Sequence, residues 1–310
     1  MAEKEILKKA FTQLKQGKNI FLPPGDDCAA IKIGEGRLLI ATADQLIEGV
    51  HYKKNTAPAK IAKKLLNRNL SDIAACGGAK SLFAICTIAL GKNCFQGKSS
   101  EKFFEEFFRY LGKESAKCGV SVCGGDIAKI ANAPVAVFSM TILGETSEKT
   151  LCRRSGAKAG DILFCTGEFG NSFDSGHHLA FVPRLEEAEF ISNKYSRTMI
   201  DVSDGLLIDA ERLAEASRLG IVISPDRIPL RNGASLKSAL TEGEDYELLF
   251  AVPANKSEEL IRNWEFNTKL TKIGYFKKLK SSKIVDNEGE DLIAKFGKGY
   301  DHFKNPKRKN

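Results

Sequence analysis

The sequence predicts a mixed α/β fold of two layered domains, from its length of 310 residues, its alternating β-branched runs and helical-period segments, and a polar break near its middle. One hydrophobic core stops growing at roughly 250 to 300 residues, so a chain of this size divides readily into two. In chain order, the apolar run Arg37 to Ala41 reads as a strand. Pro58 to Ala75 reads as a helix, with Thr56 as its cap, apolar residues at Ile61, Leu65, Leu66, Leu70 and Ile73, and Gly77-Gly78 as its stop. Ser81 to Leu90 is a second strand, Phe103 to Cys118 a second helix and Pro134 to Leu143 a third strand. The polar stretch Gly144 to Thr150 then marks the exit from a first domain, 1–144, and Arg153-Arg154-Ser155-Gly156 opens a second, 145–310. Asp161 to Thr166 is its first clear strand, and Gly205 to Ser217 a helix ended near Gly220.

Composition excludes several classes. Apolar residues at 43% and charged residues at 28% describe a globular, soluble chain and not a disordered one. The start Met1-Ala2-Glu3-Lys4-Glu5 lacks the pattern of a secretory signal. The longest apolar run, Leu82 to Leu90, falls well short of the roughly 20 residues that span a bilayer, so no membrane association and a cytoplasmic location are expected. Eight cysteines without a Cys-x-x-Cys pair read as reduced thiols, not as a zinc site or disulfide scaffold. The net charge of +8 is dispersed, partly over the tail Lys304 to Asn310, and forms no basic, aromatic-interleaved helix, which argues against nucleic acid.

The chemistry is written in aspartates beside glycines or at strand ends. They occur in Gly25-Asp26-Asp27, Ala41-Thr42-Ala43-Asp44, Asn69-Leu70-Ser71-Asp72, Gly124-Gly125-Asp126 and Asp201-Val202-Ser203-Asp204-Gly205. Any one Gly-Asp pair is commonly a turn. Five such runs point instead to converging carboxylates, which coexist when cations neutralise them, and an all-oxygen set suits magnesium with a nucleotide triphosphate. Asp72 stands out because small residues, Ala74, Ala75 and Gly77, leave room beside it for a metal, although an exposed helix-end acid has the same pattern. Walker-type, dinucleotide-type and protein-kinase signatures are missing. His177-His178 lack a third zinc ligand, Ser172 and Ser203 lack a nucleophile-elbow context, and the Phe103, Phe104, Phe107, Phe108 stripe reads as core. His51, after Gly49-Val50, is either a turn residue or part of a substrate pocket.

These runs, with Glu48-Gly49-Val50-His51, Arg153-Arg154-Ser155-Gly156-Ala157 and Gly243-Glu244-Asp245-Tyr246-Glu247-Leu248, stand in an order that resembles the thiamine-monophosphate kinase family nearly end to end. The Gly-Asp-Asp and Gly-Gly-Asp elements are shared with the wider superfamily of aminoimidazole ribonucleotide synthetase, selenophosphate synthetase and a hydrogenase maturation protein. The resemblance implies that superfamily's fold, with an N-terminal α/β domain that pairs with a second subunit in a homodimer and a C-terminal α/β domain that closes over the nucleotide. It implies that Asp27, Asp44, Asp72, Asp126 and Asp201 hold several Mg2+ ions, with Thr42, Ala43 through its carbonyl, and Asp204 as further metal contacts. Gly125, Asp126, Arg154 and Ser203 would contact ATP, Asp72, Asp126 and Arg154 would act in catalysis, and His51 and Glu244 would contact thiamine monophosphate. The implied reaction is direct in-line phosphoryl transfer that yields thiamine diphosphate.

The chain departs from the family at four places. Ala43 replaces a usual threonine, and Ile127-Ala128 replaces a pair of threonines. Gly297 stands at a substrate position where an aromatic ring is common, with Phe296 adjacent, and the segment from Gly170 to Arg184 is short. Two other readings therefore stand beside the kinase, namely a related ATP-dependent synthetase with another acceptor and an inactive nucleotide-binding homologue. The former branches often carry a C-terminal cysteine, and this chain ends Pro306-Lys307-Arg308-Lys309-Asn310.

Overall fold

The computed structural model describes residues 3–92, 94, 99–278 and 283–303; the basic tail 304–310 and the first two residues lie outside the described residues. Helix α1 (Glu3–Thr12) precedes a six-stranded sheet built from β1 (Ile20–Leu22), β2 (Ala29–Gly34), β3 (Arg37–Ile47), β4 (Lys80–Leu90), β5 (Ser121–Lys129) and β6 (Ala136–Ser147). Its order is β1-β2-β3-β6-β4-β5, antiparallel except for the β4 and β5 pair at one edge. Helices α2 (Pro58–Ala75) and α3 (Ser100–Lys117) pack together, α2 lies on β3 and β6, and their apolar stripes join one core with the sheet. On β4, Ala84, Cys86 and Ile88 are buried in that core while Phe83 and Ile85 are exposed, as the two-residue period of a strand requires.

The second sheet holds β7 (Ile162–Thr166), β8 (Thr198–Asp201), β9 (Gly220–Ile223), β10 (Leu248–Val252), β11 (Leu270–Lys277) and β12 (Ile284–Val285), in the order β12-β9-β11-β7-β10-β8. Strands β7, β9 and β10 are buried along nearly their whole length and read as apolar runs, whereas β11 between β9 and β7 is partly exposed. Leu249 and Ala251 of β10 meet α5 (Leu206–Ser217) in one core; Leu248, Phe250 and Val252 meet α4 (Leu185–Lys194) and α7 (Ser257–Arg262) in another. Short helices α6 (Leu236–Thr241) and α8 (Leu292–Phe296) complete this half. Ala74 of α2 also enters the core beneath α4, so α2 serves both halves.

The expected α/β architecture is present, and α2 has the expected ends. Pro58 opens α2 without a side-chain cap, because the Thr56 hydroxyl turns back to the Lys53 carbonyl at 2.6 Å. Strand β3 runs on past Ala41 to Ile47, since Thr42 and Asp44 continue the inward-facing register of Leu38 and Ile40 as polar residues and so hide the alternation. Among the described residues, no helix is long and apolar enough to cross a membrane.

Candidate active site

Three of the sequence-selected aspartates meet where the halves join. Asp27 comes from the loop between β1 and β2, Asp72 from α2, and Asp201 from the end of β8. One carboxylate oxygen from each lies within 4.8 Å of the other two. Side chains beside them set their orientation: the Thr42 hydroxyl on β3 donates to Asp72 Oδ2 at 2.5 Å, and the Ser71 hydroxyl donates to Asp201 Oδ2 at 2.6 Å. Arg154 grips Asp27 with Nε at 3.3 Å and Nη2 at 2.7 Å, while its backbone N–H donates to Asp26 Oδ1 at 2.5 Å.

This cluster is short of positive charge. Arg154 answers Asp27, but the hydrogen bonds of Asp72 and Asp201 come from hydroxyls, and neither carboxylate has a cation at salt-bridge distance among the described residues. Two unit charges 4.8 Å apart repel by about 3.5 kcal/mol at an effective dielectric of about 20. Burial, with the charges of Asp44, Asp201 and Asp27, therefore holds the Asp72 carboxyl well above the ordinary carboxylate range. Burial and Asp27 do the same to Asp201. The inward-facing donors are carboxylate and hydroxyl oxygens, and the nearby Cys28 thiol donates instead to the Asp72 carbonyl at 3.5 Å. Such a set fits a hard divalent cation of the magnesium type and does not fit zinc.

Other expected site residues take distinct places. Asp44 follows Thr42 on the same side of β3 and is held by Arg68 of α2, with Nε at 3.0 Å and Nη2 at 3.1 Å. Ala43 points the other way and is exposed. Ser203 and Asp204 form the turn into α5, where both backbone N–H groups donate to Asp209 Oδ2 at 3.1 Å. Arg212 then ties Asp209, at 2.5 Å, to Asp204, at 2.8 Å. The Gly-Gly-Asp run lies inside edge strand β5 and not in a glycine turn. Gly125 pairs there with Cys86, and a Cβ on Gly125 would sit 2.0 Å from the Cys86 carbonyl oxygen, so this position excludes every side chain. Asp126 pairs with Thr87, is exposed, and does not join the three-carboxylate cluster.

The residues expected to meet the acceptor are gathered at the other end of α2. Lys64, fully buried, donates to the Glu244 carboxylate and, at 2.5 Å, to the His51 carbonyl. His51 is itself 2% exposed and accepts the Ile47 N–H on Nδ1 at 2.9 Å, which leaves Nε2 to carry the proton in the neutral ring. Glu244 and Tyr246 have φ of 61° and 53°, left-handed values that non-glycine residues seldom adopt. They are held there by Glu244 N donating to Ser203 O at 2.7 Å and Tyr246 N to Val202 O at 2.8 Å, which docks this segment on the residues that follow β8. The short segment 170–184 closes this end: Phe181 stacks on Tyr246 at 3.9 Å, and the Asn67 side chain of α2 donates to the Phe181 carbonyl at 2.7 Å.

Gly297 ends α8 in a left-handed turn, with φ 96°, and Phe296 packs against the second-half core. The chain then returns across Asp204, where Tyr300 N donates to Asp204 O at 3.0 Å, and the His302 ring stands 5.3 Å from that of His51. Lys64, Arg68, Ser71, Asp209 and His302 were thus not singled out from the sequence. The first two were within reach of it, since Lys64, Arg68 and Asp72 recur at every fourth residue on one helix face.

Comparison with known proteins bears on the fold and the family. Residues 25–146 match the AIR synthase related protein, N-terminal domain, family. A thiamine-monophosphate kinase of Buchnera aphidicola subsp. Schizaphis graminum is 30% identical over 97% of this chain and 98% of its own length. One from Leptospira interrogans serogroup Icterohaemorrhagiae is 30% identical over 98% and 100%. The solved structure of AaThiL complexed with AMPPCP and TMP superimposes with a TM-score of 0.80 at 26% identity, covering 97% of each chain. With an ordered set of acidic runs, the expected fold and full-length similarity in agreement, this chain belongs to the thiamine-monophosphate kinase family.

Proposed function

We propose that the protein transfers the γ-phosphoryl group of ATP to the phosphate of thiamine monophosphate, forming thiamine diphosphate and ADP as a step of thiamine biosynthesis. The observation that carries this reading is the arrangement along α2: Asp72, beside Asp201 of β8, at one end, and the buried Lys64, which holds Glu244 and the His51 carbonyl, toward the other. The relatives' names and the two ligands of AaThiL support the same pair of substrates. The cationic thiazolium ring of the acceptor would meet the Glu244 carboxylate, which Lys64 holds together with the His51 carbonyl.

A phosphate monoester loses its second proton near pH 6, so its oxygen can attack without a general base. That oxygen forms a bond to the γ-phosphorus as the bridging P–O bond breaks in line, and the bond's electron pair leaves with ADP. Bound Mg2+ would supply the positive charge that offsets repulsion between the two anions and between the acids. Asp27, Asp72 and Asp201 would hold the first of several such ions, with Asp44, Asp126, Asp204, Thr42 and the Ala43 carbonyl as ligands of the others. Thr42 and Ser71 keep the carboxylates of Asp72 and Asp201 aimed inward. Arg154, now on Asp27, would turn to the nucleotide phosphates, beside the Gly125 and Ser203 backbone.

The first half, 1–144, supplies most of the metal site and the second, 145–310, closes on the nucleotide and acceptor. Exposed Phe83 and Ile85, on the face of the first sheet turned away from the core under α2 and α3, suit a second copy of the chain, in a cytoplasmic homodimer. The described cysteines are free thiols, in keeping with that compartment. The test is incubation of the pure protein with labelled ATP, Mg2+ and a panel of phosphorylated vitamins. Label should enter thiamine diphosphate and depend on Mg2+; label in another product, or none, would reject the assignment.

A further inference from the structure

Between the metal end and the acceptor end of α2 stands a cation with no assigned role. Lys64, Arg68 and Asp72 form one stripe, each step of four residues rising about 6 Å along the helix. Lys64 is occupied by Glu244 and the His51 carbonyl, and Asp72 belongs to the carboxylate cluster. Arg68 lies between them, with Asp44, Tyr246, Glu244 and Asp72 all in electrostatic reach. Its side chain keeps 12% of its surface open. Its bonds run from Nε and Nη2 to Asp44 and from Nη1 to the Gln45 carbonyl at 3.2 Å. A guanidinium has five N–H groups, so two of them take no partner among the described residues.

An acceptor whose ring end lies by Glu244 must carry its reacting phosphate along this stripe past Arg68 toward Asp72, in surroundings dominated by acids. A fixed cation is needed there, and a planar fork of N–H donors matches phosphate better than an ammonium does. We propose that Arg68 binds the phosphate of the acceptor and makes the site selective for a phosphate monoester over the free alcohol, an inference that rests on the kinase reading above. Asp44 would hold the fork in orientation from one side while the two remaining N–H groups meet the phosphate.

The test compares wild type with Arg68→Met and Arg68→Lys by steady-state kinetics, with unphosphorylated thiamine as competitive inhibitor. In Arg68→Met, KM for thiamine monophosphate should rise at least about tenfold, the scale of a lost charge-assisted bond. KM for MgATP and the inhibition constant of thiamine should stay within about twofold in the same variant. Arg68→Lys should recover part of the loss by keeping the charge without the fork. Equal loss for thiamine and its monophosphate, or a rise in the Mg2+ requirement matching the loss, would make Arg68 a counter-ion of Asp44 and overturn the proposal. A wild type that turns over no thiamine monophosphate would reject the functional reading and the proposal together, whereas normal wild-type turnover with undivided losses in the variants rejects the role of Arg68 alone.

Discussion

Two groups of buried acids lie within this molecule, and they are built on opposite terms. In the second half, Glu247 accepts from Arg184 Nε and Nη2 at 2.7 and 2.6 Å and from the Thr166 hydroxyl at 2.7 Å. Its neighbour Asp245 accepts from Arg231 at 2.7 Å, the Ser172 hydroxyl at 2.7 Å and Gly170 N at 2.9 Å. Each has its own guanidinium. At the junction of the halves, Asp27, Asp72 and Asp201 share Arg154 among them. A compensated acid ties loops together, whereas acids left with too little positive charge repel one another and favour the approach of a cation.

The contrast breaks most readily at Asp72. Asp72→Asn should lower kcat by about a thousandfold or more, on the scale of a lost electrostatic anchor, while raising the metal-free melting temperature by a few degrees as repulsion is relieved. A fall in that temperature would show that the cluster is structural. Arg184→Met tests the other side: it leaves Glu247 buried without its cation and should cost about 3 kcal/mol of unfolding free energy by denaturant titration. The folded fraction of that variant should keep its KM for MgATP, and a loss of nucleotide affinity would blur the distinction between the two groups.

Added Mg2+ should stabilise the wild type by about 2.7 kcal/mol at a hundredfold excess over its dissociation constant, read by thermal shift. Asp201→Asn should lose most of that gain, and an unchanged shift would place the ion elsewhere. The smallest effect concerns His177, whose ring nitrogen pairs with the Asp245 carbonyl at 2.9 Å. Burial, with Arg231 and Arg184 nearby, pushes its pKa down to about 4. A histidine whose folded pKa is depressed contributes stability above its unfolded value near 6.5, and that stability is lost as pH falls toward 4. His177→Asn should therefore flatten the melting profile between those limits by about 5 °C relative to wild type, and an equal slope in both proteins would remove His177 from the account.

Particular elements show how far the sequence reaches. Helix α2 was legible to its ends because Pro58 suits a first helical turn and Gly77-Gly78 accepts the left-handed exit, with φ of 65° and 58°. The far half of β3 was hidden, because Thr42 and Asp44 occupy inward positions that an apolar pattern leaves blank. The Gly-Gly-Asp run showed in the sequence only an aspartate beside glycines, and the packing of β5 against the Cys86 carbonyl places it inside a strand. Gly297 lies at the end of α8, and the ring found beside His51 is that of His302.

What the sequence determined by itself is the set of acidic runs, their order and the α/β alternation around them, because local period and turn chemistry act over a few residues. Which acids go without a counter-charge was decided by tertiary structure alone. Arg154 reaches Asp27, Arg68 reaches Asp44 and Arg212 reaches Asp204, while Asp72 and Asp201 receive hydroxyls. Coulomb interactions depend on distance in space and on burial, and neither is written in the spacing of residues along a chain.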